Sequence, residues 1–110
     1  MLGHEDNRKA TRMTTETDIG TLITRTPGLH GGRPHVAGTG VTVGRIVTWY
    51  KLGSMPEEIR DQMGHPTLSL AQVYAALTYY HANRDEIERD LAEEEAEALR
   101  LESLHRHRDP

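Results

Sequence analysis

Between residues 42 and 86 the chain spells out helix boundaries at close intervals, and no other feature narrows its fold as much. Ser54-Met55-Pro56-Glu57 combines an N-cap Ser, a Pro in the first turn and a Glu three places after the cap. Ser69-Leu70-Ala71-Gln72 and Asn83-Arg84-Asp85-Glu86 are two further capping boxes. Gly53, Gly64 and Pro66 supply the stops. Helices are therefore expected over about Val43–Leu52, Pro56–Met63 and Leu70–Ala82, with a fourth reaching from residue 84 to about Leu104. The first three are too short to persist alone in water and must pack on one another.

The apolar spacing fits that division. Ile46, Val47, Trp49 and Tyr50 form one side of the first helix, and Ile59 and Met63 face inward from the second. In the third, Leu70, Val73, Tyr74, Leu77 and His81 step by three and four, which leaves Gln72, Ala76, Tyr79 and Asn83 outward. Ahead of the helices, residues 23–43 are broken by Thr26-Pro27-Gly28, Gly31-Gly32-Arg33-Pro34 and Ala37-Gly38-Thr39-Gly40. The pieces between them, Leu22-Ile23-Thr24, His35-Val36 and Val41-Thr42-Val43, read as very short strands joined by tight turns. The expected fold is mostly α: short β-hairpin elements, a three-helix homeodomain-like helix-turn-helix unit and a long C-terminal helix. The domain spans 18–82 and the acidic helix 83–104. Residues 1–17, polar and nearly free of apolar side chains, are expected to be a disordered leader, and 105–110 a frayed tail.

Charge divides the chain. Residues 1–55 hold seven Lys/Arg against four acids, and residues 56–110 hold six Arg against thirteen acids, so a balance of +3 faces one of −7. No cysteine is present, which removes disulfides, thiolate metal sites and thiol nucleophiles together. The seven histidines include no pair four apart on a helix, so neither a metal nor a cofactor is expected. Ser54 and Ser69 are occupied as caps, and Glu93, Glu94 and Glu95 point around a helix instead of into one site. The glycine-rich turns are not followed by a helix opening on Lys-Ser or Lys-Thr, as a phosphate loop would be. No enzymatic chemistry is indicated. No apolar run reaches the length of a membrane span, and a soluble cytoplasmic protein is expected.

Two binding surfaces are suggested instead. A helix-turn-helix places its last helix in the major groove, yet this helix has no Lys or Arg, and only Gln72 and Asn83 could reach a base edge. Operator DNA would then have to be held by Arg25, Arg33, Arg45 and Lys51, doubled in a homodimer. A unit this small buries only about 60% of its unfolded surface, so Trp49, Tyr50, Tyr79 and Tyr80 are expected at a contact between copies. On the fourth helix Ile87, Leu91, Glu94, Ala98 and Leu101 share one face, flanked by acids, as a helix-in-groove contact with a basic protein requires. The competing expectation is that this stripe packs back on its own domain.

The spaced elements also carry a resemblance. Thr26-Pro27-Gly28, then Gly31-Gly32-Arg33-Pro34-His35-Val36-Ala37-Gly38-Thr39-Gly40-Val41-Thr42-Val43, then Gly53-Ser54-Met55-Pro56-Glu57-Glu58-Ile59 and finally Ala75-Ala76-Leu77 with Tyr79-Tyr80 together resemble the domain-of-unknown-function family numbered 433. The resemblance covers about residues 20–82 and implies a tri-helical, homeodomain-like fold. It further implies an antitoxin-type regulator, neutralising a PIN-like ribonuclease toxin and binding its own promoter as a dimer. The alternative is an adaptor domain that scaffolds a partner protein and never meets DNA. One departure is plain: the family usually has Arg after Gly-Thr, and this chain has Gly40.

Overall fold

The computed structural model describes residues 16–108. Of the expected leader only Glu16 and Thr17 fall inside that range; the rest lies outside the described residues, as do Asp109 and Pro110. After a 3-10 turn at Ile19–Thr21 come β1 (Ile23–Thr24), a second 3-10 turn (His30–Gly32) and β2 (His35–Val36). Four helices follow: α1 (Val43–Lys51), α2 (Pro56–Met63), α3 (Leu70–Ala82) and α4 (Arg84–Arg108).

β1 and β2 pair antiparallel, Ile23 opposite Val36 and Thr24 opposite His35. Two-residue strands cannot stand alone, and this pair is held from beneath. Val36 is fully buried, and the ring of buried His35 ties the next turn together. Its Nδ1 lies 3.1 Å from both the Val36 and Thr39 carbonyl oxygens, so Nδ1 carries the proton, while Nε2 faces the Thr26 hydroxyl at 3.1 Å. The third expected strand does not form. Thr42 makes a single bridge to His35, and its hydroxyl instead caps α1 by accepting from the Arg45 N–H at 3.1 Å. A β-branched residue that is also an N-cap is claimed by the helix.

α2 spans Pro56–Met63 as expected, but its cap lies one residue later than Ser54. Met55, not Ser54, occupies the cap position, with the Glu58 carboxylate accepting its N–H at 2.7 Å. Ser54 donates sideways to Gln62 Oε1 at 3.3 Å. In α3 the Ser69 box closes as expected, Gln72 N–H donating to Ser69 Oγ and Ser69 N–H to Gln72 Oε1. The buried face of α3 is rotated from the expected stripe. Val73, Ala76, Leu77 and Tyr80 are inside, whereas Tyr74 is 49% exposed and His81 is exposed. The small side chains of Ala75 and Ala76 let neighbouring elements close in on that side, and the Tyr80 hydroxyl finds an acceptor there.

Asn83 also departs from expectation. Its side-chain amide donates back to the Tyr79 carbonyl at 3.1 Å and so closes α3, while its own carbonyl accepts the Ile87 N–H at 3.2 Å and opens α4. α4 then runs unbroken for 25 residues, about 37 Å, through the segment expected to fray. Ile87 is fully buried in the core with Ile46, Ile59 and Val73, and Leu91 packs against it. Gly44 makes that approach possible: a Cβ there would sit 3.2 Å from Leu91 Cδ2. Along residues 96–106 only Ser103 is half-buried; the other side chains are exposed. The helix therefore has a docked half and a projecting half.

Candidate protein-binding surface on the C-terminal helix

The docked half of α4 is fastened by ion pairs to the basic front of the chain. Arg25 pairs with Glu86, donates to the Gly32 carbonyl at 2.9 Å and donates to the Tyr79 hydroxyl at 3.1 Å; that hydroxyl in turn donates to Glu86 at 2.8 Å. Arg33 lies 3.2 Å from Glu93 and 3.8 Å from Asp90. Lys51 Nζ contacts both Glu88 oxygens, at 2.8 and 3.0 Å. Tyr80, 4% exposed, donates to the same carboxylate at 2.6 Å. The Lys51 hydrogen bond, with that of Tyr80, holds the Glu88 carboxyl below its usual range. The shared carboxylate raises both Lys51 and Tyr80.

The residues expected to meet DNA are thus differently placed. Arg25, Arg33 and Lys51 face acids of their own chain, and Arg45 alone of the four has no ion-pair partner among the described residues. Gln72 is half-buried and held in the α3 capping box. Glu57, Glu58 and Asp61 make α2 acidic beside it. Among the described residues no three His, Asp or Glu side chains converge as a metal site would need, and no helix is long and apolar enough to cross a membrane.

The aromatic residues expected between copies are largely engaged within the chain. Tyr79 and Tyr80 bind α4. Tyr50 packs edge-on to Tyr80 and His81, and Trp49 is half-buried. The stripe on α4 is divided: Ile87 and Leu91 pack on the domain, Glu94 is half-buried beside Gly44, and Ala98 and Leu101 are exposed.

A feature that the sequence reading missed lies where α1 meets α4. His30, Gly40, Thr42, Arg45, Trp49 and Leu52 line a cleft of about 470 Å³ with Glu94 and Thr48. It adjoins a second hollow of about 450 Å³ that shares Thr48, Leu52 and Glu94 and reaches Lys51, Leu91 and Glu95. Leu52 is 73% exposed at the rim. An apolar residue just before the helix-ending Gly53 was the one available signal. The positive φ of His30, +52°, has no signature in composition or spacing.

The fold and its decoration define a class: a small helix-turn-helix core, introduced by a minimal hairpin, that carries a long acidic arm. The family described as "Protein of unknown function (DUF433)" matches residues 23–80, and the chain belongs to that family. The crystal structure of a DUF433 member protein from Anabaena variabilis ATCC 29413 is similar in fold. It is 24% identical, with a TM-score of 0.59 over 83% of this chain and 82% of that one. Among curated proteins none matches.

Proposed function

We propose that this protein is a non-enzymatic, antitoxin-type regulator that holds a partner protein on the projecting half of α4. A PIN-like ribonuclease is the partner class. The observation that carries the reading is the division of α4. Its first half belongs to the core, while its second half keeps Leu99, Leu101 and Leu104 more than half exposed. Exposed leucines at helical spacing suit an apolar groove on another protein.

A second reading has an observation of its own. Three of the four candidate DNA-binding cations are neutralised by α4, and α2 is acidic. Binding that depends on phosphate contacts has little to draw on when those charges are already paired. This favours an adaptor that never meets DNA over a promoter-binding dimer, and it leaves the protein-binding role of the arm unchanged.

The test is a chain cut after Glu95, set against the full chain, with any PIN-like ribonuclease found encoded beside it. The full chain is expected to suppress RNA cleavage and the cut chain, equally folded, to lose that effect. Equal suppression by both would remove the arm from the mechanism.

A further inference from the structure

The docked half of α4 displays what this face of the helix accepts. Ile87 and Leu91 enter apolar surroundings, and Glu86, Glu88, Asp90 and Glu93 beside them meet Arg25, Lys51 and Arg33. Steps of three and four residues continue the same face through Glu94 to Ala98 and Leu101. Beyond Leu91, however, no ion pair forms: Arg45 and the Glu88-bound Lys51 line the hollows there, yet Glu94 and Glu95 have no ion-pair partner among the described residues, so acids stay in excess at this corner. Glu97 and Glu102 pair only along their own helix, with Arg100 and Arg106. Next to this unanswered stretch lie the two joined hollows between α1 and α4, with Trp49 and Leu52 as their apolar wall.

We infer that the α1/α4 corner, made of Trp49, Leu52, Leu91 and Glu94 with Ala98 and Leu101 continuing it, seats one basic amphipathic helix of the partner protein. This deepens the proposed function, because it moves the contact from the arm alone to a composite of arm and domain. Charge selects the occupant. A second copy of this chain would bring another acidic α4 against Glu94 and Glu95, and like charges so placed oppose docking. A helix with Leu on one face and Lys or Arg beside it repeats what the domain itself offers to Ile87 and Leu91. Two adjoining hollows suit side chains one helical turn apart, about 5–6 Å between Cβ atoms. Arg45, the single unpaired cation on the rim, faces an acid or the terminal carbonyls of the incoming helix.

Trp49 is the only Trp in the chain, so its emission reports on this corner. The probes are two Trp-free helical peptides of about 18 residues, or five turns, one built from Leu and Lys and one from Leu and Glu. Titrated into the full chain, the Lys peptide is expected to shift Trp49 emission saturably to the blue, and the Glu peptide to leave it unchanged. Leu52→Ser, a change on the surface, should weaken the Lys peptide about tenfold or more, as loss of one buried Leu contact implies. Tyr74→Ser, exposed on α3 and outside both hollows, should not. No shift, an equal response to the Glu peptide, or indifference to Leu52→Ser overturns the inference. If the arm cut abolishes suppression while Leu52→Ser is silent, the arm reading stands and the corner falls. If the Lys peptide seats at Trp49 and the cut chain still suppresses, the reverse holds.

Discussion

Glu88 accepts from Lys51 and Tyr80 at once, and each donor shapes the pH response. Its depressed carboxyl binds a proton more weakly folded than unfolded. Its contribution is therefore complete above the ordinary carboxylate value of about 4.3 and disappears as pH falls through the lower folded value. Tyr80 acts in the opposite sense. Its raised hydroxyl keeps its proton in the fold, so that contribution is complete below about 10 and disappears as pH rises through the higher folded value. Thermal melts of the wild type and Glu88→Gln across pH should show a constant gap near neutrality that closes in acid. His35 has a purely structural use, since its Nδ1–H serves two carbonyl oxygens in a buried turn. His35→Leu should cost about 1–3 kcal/mol in urea unfolding, the penalty for stranding a buried acceptor. His81 shows how neighbours dictate which nitrogen of a neutral ring accepts. Arg84 can only donate, so Nδ1 accepts and Nε2–H points to the Tyr50 hydroxyl.

Among the elements, the α1–α4 contact rests on Gly44. Gly44→Ala gains about 1 kcal/mol of helix propensity but crowds Leu91, so its net effect should stay within about 1 kcal/mol. Gly44→Leu cannot be accommodated that way and should lift α4, read as faster amide exchange around Ile87 and Leu91. Ile87→Ala should cost about 2–5 kcal/mol, as expected for a fully buried aliphatic side chain. Helix positions were readable because caps and stops are local chemistry: Ser69 with Gln72, Gly53 and Gly64 all act within a few residues. The face each helix buries was less readable. Tyr74 and Tyr80 both fit a helical stripe, and only contact with α1 and α4 decides that Tyr80 goes inside. Asn83 reads equally well as the end of one helix or the start of the next. The ion pairs of Arg25, Arg33 and Lys51 with α4 span 37 to 61 positions and leave no local trace. Hence the charge asymmetry was visible while its partner was not, and the α1/α4 cleft was missed altogether.

For the whole molecule, the fold ends before the chain does. A cut after Glu95 removes exposed side chains and should leave the melting temperature within about 3 °C of the full chain. A cut after Asn83 takes away Ile87, Leu91 and every acid that answers Arg25, Arg33 and Lys51, and it should sharply lower the melting temperature. The drop between the two truncations measures how much of α4 is core. Raising salt should weaken the ion-paired contribution of the docked half without touching Ile87. A continuous helix serving two masters also sets unequal rules for inheritance. A substitution at Ile87 or Leu91 is judged against the chain's own interior and is rejected whatever the partner. One at Ala98, Leu101 or Leu104 meets no such judge, so on the proposed reading a lineage can exchange partners by rewriting the last three turns while the first three stay fixed.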